Sequence, residues 1–363
     1  MPSRILIVGA GLAGACAALV LSRSHDVTVL EAARPAAGAS GAAAGLANPF
    51  MARKANPAWR YEEALDALHG LLDEADAAPL FRAQGVLRPA SSLKQAGFFQ
   101  ETAATYPSDA LWWTEEHVRT RHPHLVAPHG ALWLPRGGSL ELPAMVTALL
   151  SVAQNRGAAV RTGVRVTAWD EDGDRAWVAT AEGERIEADY VMLCLGGGFA
   201  GHPGLEALGL HGVKGQTVRV RRPAGLNAAL FAALPAVSSG GYIVPAPSSD
   251  ALVLGSSFEH EFADVRPSRV VTQQIVAKAA RTLPALADAE VTHEVAGVRV
   301  TRQGARKPVL GPMPGTARVW AFTALGAKGL LTAPLLAQGL PGFLRNAATI
   351  PREVRIDPGS TFQ

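Results

Sequence analysis

The sequence predicts an α/β fold in which a region with a parallel sheet is joined to a second, α+β region whose sheet is mainly antiparallel. Three observations predict it. The chain opens on strand, glycine turn, helix and strand. Two later apolar strands, near 190–195 and 319–324, again end in glycines. Segments between 213 and 257 alternate apolar and polar residues between turns, as an antiparallel sheet does.

Arg4 to Val8 is a short apolar strand, and Gly9, Gly11 and Gly14 follow in G-x-G-x-x-G spacing. Leu12 to Ser24 is Ala- and Leu-rich, as a buried helix should be. Val27 to Leu30 is a second strand that closes on Glu31, about twenty residues after the glycines. In this register the segments form a dinucleotide-binding βαβ unit. The glycines let the backbone turn tightly and approach a pyrophosphate, and the helix N-terminus offers N–H groups and partial positive charge to that anion. Glu31 is placed to accept hydrogen bonds from an adenosine ribose.

Residues 32–49 are rich in Gly, Ala and Ser and predict a loop without helix, approached closely by a ligand. Trp59 to Ala75 predicts a helix with Tyr61, Leu65, Leu68 and Leu72 on one face. A strand follows at 85–89. From 91 to 138 the pattern is irregular. His117, His122, His124 and His129 lie there without a Cys or acid spaced to complete a metal site, so the region predicts a solvated loop. Trp112 and Trp113 read as core or substrate-roof residues. Leu142 to Gln154 predicts a helix, 164–169 and 176–180 a hairpin, and 186–195 a buried strand ending at Gly196. In an open α/β sheet ligands lie beyond the carboxyl ends of the strands, so Gly196 is expected to meet the same nucleotide as Gly9. Pro267 to Leu283 predicts a helix, and 319–340 a strand, glycine turn and helix.

With 48% apolar and 18% charged residues, wholesale disorder is excluded, and 363 residues favour two joined domains. A net charge of +3 does not establish a polyanionic partner. The N-terminus reads as a strand and not a signal peptide, and no apolar run reaches membrane-span length, so a cytoplasmic protein is expected. Cys16 and Cys194 sit in apolar segments and read as core residues. The last dozen residues are expected to be loosely held.

Taken together, G-A-G-L-A-G (9–14), A-S-G-A-A-A-G (39–45), V-K-G-Q (213–216), G-Y-I-V-P (241–245), G-V-R-V-T-R with P-V-L-G (297–302, 308–311) and A-L-G-A-K-G-L-L-T-A-P-L (324–335) resemble the FAD-dependent D-amino-acid oxidase and glycine oxidase family, close also to the oxidase domain of the bifunctional enzyme that matures the wobble uridine of tRNA. The resemblance implies a Rossmann-like FAD-binding domain (1–80, 140–212, 296–363) and a substrate domain (81–139, 213–295). It implies FAD rather than NAD. Gly9, Gly11 and Gly14 would approach the pyrophosphate and Glu31 would hold the ribose. Ser40 and Gly41 would lie along the phosphates and flavin, and Val164 would hydrogen-bond the adenine through its backbone. Gly326, Lys328, Gly329 and Leu330 would face the flavin pyrimidine, where a helix N-terminus stabilises negative charge. Lys328 as a solvated surface residue is the alternative. With both cysteines in core segments, the flavin is expected to be non-covalent.

On the substrate side, Arg299 lies in an otherwise apolar strand, where a guanidinium is costly unless paired and suits bidentate capture of a carboxylate. An ion pair with Glu294 is the alternative. Tyr242 could donate its hydroxyl to the same carboxylate, or be an aromatic core residue. Arg302 could exchange roles with Arg299, and Asn48 is a further pocket candidate. The expected chemistry is oxidation of the C–N bond of a small amino acid or N-substituted glycine by hydride transfer to flavin, giving an imine that hydrolyses. Two alternatives stand beside it: an oxidase acting on the carboxymethylaminomethyl group of tRNA, and a non-catalytic FAD-binding protein.

Overall fold

The computed structural model describes residues 2–246, 250–304 and 306–356. Six strands form the first sheet, in the order Ala159–Thr162, Asp26–Glu31, Arg4–Val8, Tyr190–Leu193, Val319–Thr323 and Val309–Pro312. All neighbours are parallel except Val309–Pro312, which runs antiparallel at the edge. Arg4–Val8 can be apolar throughout because both faces of the sheet are covered. Ile5 and Ile7 pack on the side of the Leu12–Leu21 helix, and Leu6 and Val8 on the other side, with Val178 of a three-stranded antiparallel sheet. All ten residues of Leu12–Leu21 are buried, which explains why no polar stripe marks it in the sequence. It packs between the helices Leu142–Asn155 and Gly329–Arg345.

The second sheet has eight strands in the order Val291–Arg302, Leu210–Arg221, Ala251–Gly255, Tyr242–Pro245, Ala236–Ser238, Val86–Pro89, Ala131–Leu134 and Leu111–Trp113. Its pairs are antiparallel except Ala236–Ser238 on Val86–Pro89. The helix Arg269–Ala280 covers one face through Ile275, over Val218, Val220, Leu252 and Leu254. The α/β class, with one largely parallel and one largely antiparallel sheet, is as the sequence predicts.

Several local expectations are corrected. The stretch 32–49 is not free of helix: Ala39–Ala42 makes one turn. The irregular stretch 91–138 contains the helices Leu93–Thr105 and Glu115–Arg121, each with a side-chain N-cap: Ser92 Oγ accepts from Gln95 N–H and Thr114 Oγ1 from His117 N–H. The final helix is longer than expected and passes through Pro334 and Pro341. Near the end of the chain Leu310 N–H donates to the Val354 carbonyl and Ile356 N–H donates to the Leu310 carbonyl, and 357–363, part of the stretch expected to be loose, lies outside the described residues.

The histidines do not form one solvated loop either: His117 is exposed on the Glu115–Arg121 helix, whereas His122 is buried. Trp113 stacks on Trp133 and on His117, at 4.7 and 4.6 Å between ring centroids, and His122 is buried beside them. Trp112 and Trp113 are therefore packing residues, and among the described residues no group of three His, Cys, Asp or Glu could hold a metal. Burial, followed by His124 and Arg121, pushes the His122 imidazole down to about 4. A His whose folded value lies below its unfolded one contributes stability that is full above the unfolded value near 6.5 and lost as pH falls toward 4. His122→Phe is thus expected to flatten the loss of melting temperature between neutral and acid pH. An unaltered pH profile would refute the assignment.

Candidate active site

One cavity of about 1110 Å³ is lined by residues from both sheets, from Glu31 at one end to Tyr242 and Arg299 at the other. It is at the upper end of ligand-site volumes, as a cofactor with its substrate requires. Gly9 has φ +106°, and a Cβ there would lie 2.5 Å from the Cys194 carbonyl oxygen. A Cβ on Gly14 would lie 1.9 Å from the Gly9 carbonyl oxygen. Gly14 does not line the cavity, and its smallness lets the helix abut the turn. Gly11 does line it, with Leu12 and Ala13 of the helix start. Ser40 Oγ accepts a hydrogen bond from Leu12 N–H (3.0 Å), tying the 37–45 segment to that helix start. The Glu31 carboxylate accepts from Ala10 N–H (2.8 Å) and Ala33 N–H (2.9 Å), and each oxygen retains a lone pair for a ribose hydroxyl.

Gly196, Gly326, Gly329 and Leu330 line the same cavity. Besides Gly14, four expected residues do not. Gly41 packs against the Ala36 carbonyl, 2.3 Å from where a Cβ would stand. Val164 donates its N–H to the Glu31 carbonyl (3.0 Å), so an adenine contact would fall to its carbonyl alone. Lys328 is off the cavity wall, and burial, Arg306 and Lys307 push its ammonium down. Arg302 reaches the Glu353 carbonyl (3.4 Å).

Arg299 has no carboxylate partner among the described residues. Its guanidinium donates to the Ser257 carbonyl (2.6 Å) and Ser256 Oγ (3.2 Å), with the exposed Phe258 ring 4.2 Å away. Glu294, the alternative partner, takes the Thr272 hydroxyl instead. Burial lowers the Arg299 value, and Tyr242 opposes that. Tyr242, which also hydrogen-bonds Ser256, is pushed up to about 12 by burial, so it remains an O–H donor at neutral pH. Asn48 is buried on the cavity wall, its Oδ1 taking the Phe50 N–H (3.1 Å).

Gly215, in the V-K-G-Q stretch, makes room for Arg299: a Cβ there would lie 2.1 Å from Nη2. Gly215→Ala is expected to push the guanidinium aside and raise KM about tenfold, a cost near 1.4 kcal/mol. A KM equal to wild type would mean the guanidinium is not held as described. Ser256, Phe258, Thr217 and Arg88 were not identified from the sequence as cavity residues. Arg88 alone carried a readable signal, being a cation in an apolar strand like Arg299.

The arrangement fits FAD. Glycines without room for a Cβ border the helix start, an acid lines the same cavity, and a second helix start, at Gly329, lines it beside Leu12. Cys194 lines the wall, but burial holds its thiol far above its ordinary value, so no thiolate is available for attachment.

The FAD dependent oxidoreductase family description matches residues 4–340. A glycine oxidase of Pseudomonas aeruginosa is 28% identical, over 99% of this chain and 98% of its own length. A tRNA 5-methylaminomethyl-2-thiouridine biosynthesis bifunctional protein of Polaromonas naphthalenivorans is 31% identical over 98% of this chain, which spans 58% of that protein. Among solved structures, glycine oxidase from Geobacillus kaustophilus superposes with a TM-score of 0.81 at 23% identity, covering 94% of both chains. Iminodiacetate oxidase from Chelativorans sp. BNC1 superposes with a TM-score of 0.82 at 23% identity, covering 98% of this chain and 100% of that one. The structural likenesses extend the fold assignment over nearly the whole chain.

Proposed function

The chain belongs to the FAD-dependent oxidoreductase family, and on that premise we propose that it oxidises the C–N bond of a small amino acid or N-substituted glycine. The observation that carries this reading is Arg299, half-buried on the cavity wall without a carboxylate partner among the described residues and beside the Tyr242 hydroxyl. An α-carboxylate would supply the missing charge by bidentate pairing, and Tyr242 would donate its O–H to the same group. That anchor fixes where the α-carbon sits, which is the orientation the reaction needs. FAD, when bound without a covalent link, accepts the two electrons and the hydrogen that leave the α-carbon. The nitrogen loses a proton, and water converts the resulting imine to a carbonyl compound and an amine. The only acid among the described lining residues is Glu31, whose carboxylate accepts from Ala10 and Ala33 N–H, so no lining carboxylate is offered to the amine at the Arg299 anchor. The exposed Phe258 ring lies against one face of the guanidinium.

The test is product chemistry. Sarcosine should yield one glyoxylate and one methylamine for every two electrons delivered to the acceptor. Turnover without a carbonyl product would exclude C–N oxidation.

A second reading is favoured by the 31% identity to the tRNA bifunctional protein: oxidation of a carboxymethylaminomethyl group on tRNA, the same N–CH2–carboxylate unit. In that case only modified tRNA would reduce the flavin, with affinity falling steeply as salt rises. No described helix is long and apolar enough to cross a membrane. Both cysteines are free and buried, which supports a cytoplasmic setting.

A further inference from the structure

The substrate half of the cavity carries more positive charge than one carboxylate can answer. Besides Arg299, its walls include Arg53, Arg88, Lys278 and Arg281, and none of these has a carboxylate within ion-pair distance among the described residues. The chain's net charge is only +3, so this concentration is local and not a consequence of composition.

Arg88 is the informative member. Arg53, Lys278 and Arg281 are exposed at the rim, whereas Arg88 is 6% exposed. Its Nη atoms donate to the Phe50 and Ala52 carbonyls, the Phe99 ring lies 5.0 Å from the guanidinium, and Nε has no partner. Carbonyls and a ring satisfy donors without neutralising a full charge, and an unneutralised buried cation costs several kcal/mol. The sheet register sets its distance from the reacting end. Ser238 pairs with Tyr242, and Ala236 and Val237 pair with Val86 and Leu87, so continuing that register puts Arg88 beside Ser238. Arg88 and Tyr242 are then two strands apart in one cross-strand row, about 10 Å at the backbone, and both side chains line the cavity.

We propose that the substrate is dianionic: an amino acid or N-substituted glycine whose second carboxylate, on the side away from the Arg299 anchor, is held by Arg88 under the cationic rim. This deepens the amine-oxidation reading and rests on it for the position of the reacting carbon. Arg88 is assigned as a specificity-determining residue. Because it is buried, a short substituent of a small molecule reaches it, whereas a macromolecular phosphate would meet Arg53, Lys278 and Arg281 first.

The test uses inert ethers, so that it does not depend on turnover. Titration calorimetry on the FAD holoenzyme compares oxydiacetate, with two carboxylates, against methoxyacetate, with one. Oxydiacetate is expected to bind about tenfold more tightly or better, and Arg88→Gln is expected to reduce that advantage to about twofold or less. Arg88→Lys, which keeps the charge and not the fork, should retain part of it. Equal binding of the two ethers by the wild type overturns the proposal, and this comparison stands even if the variants fail to fold. An undiminished advantage in a folded Arg88→Gln protein also overturns it. If oxydiacetate is preferred while iminodiacetate and sarcosine both leave the flavin oxidised, the amine-oxidation reading fails and the dianion site remains.

Discussion

Arg299→Ala is expected to raise KM by at least about thirtyfold, because removing one partner of a buried charge pair costs about 2–5 kcal/mol. The effect should be large because the guanidinium has no other counter-charge: its partners are the Ser257 carbonyl, Ser256 Oγ and the Phe258 ring. Arg299→Lys should recover little, since an ammonium cannot present the two parallel donors that a carboxylate accepts. The variant should still take up FAD, because the cofactor end of the cavity is built from other elements. Michaelis constants with an α-amino acid substrate, measured on flavin-saturated protein, check this. A KM within about twofold of wild type, a difference near 0.4 kcal/mol, would remove Arg299 from the substrate site.

Gly14→Val should abolish flavin retention and cost about 3 kcal/mol or more of stability, the upper range for overpacking a close-packed interior. Even the first added atom would lie 1.9 Å from the Gly9 carbonyl oxygen, and two further methyl groups would follow it into the helix–strand contact. The obstacle is backbone, so the Leu12–Leu21 helix must move away from the turn that the cofactor's phosphates approach. A milder control is Gly11→Ala, where the nearest neighbour of a Cβ is Ser40 Oγ at 3.2 Å. It should fold and bind FAD more weakly. Flavin content after purification and urea midpoints for the two variants check the contrast, and equal behaviour would contradict it.

The stretch from Arg4 to Glu31 is legible because several constraints coincide there. Apolar strand, glycine spacing, helix, strand and terminal acid each limit the others, and all describe one βαβ unit. The stretch 91–138 was harder for a physical reason. Its two helices have short or weakly patterned apolar faces, so periodicity alone did not reveal them. The local signs were nonetheless present, in Ser92 three residues before Gln95 and Thr114 before Glu115 and Glu116. The burial of His122 came from tertiary stacking around Trp113 and Trp133, which sequence spacing does not encode.

Arg299 stands out in the sequence because a guanidinium in an apolar strand demands a partner, and it lines the cavity. The same argument applies to Arg88 in V-L-R-P, and only the three-dimensional placement on one cavity wall joined the two. Lys328 shows the converse. It follows a glycine turn and precedes a helix, but its side chain leaves the cavity, and the helix start at Gly329 and Leu330 lines the wall instead. Residues that act through backbone fit, such as Gly215 beside Arg299, need coordinates to be seen.

The most direct measurement is anaerobic mixing of the FAD-loaded protein with glycine, sarcosine, D-alanine and iminodiacetate, followed by the absorbance of oxidised flavin. Loss of the yellow absorbance with at least one of these amines, and its absence for the same amine with Arg299→Ala at equal concentration, is the predicted result. Retention of the oxidised spectrum with every carboxylate-bearing amine in the panel would contradict the assignment of this cavity to small amino-acid oxidation.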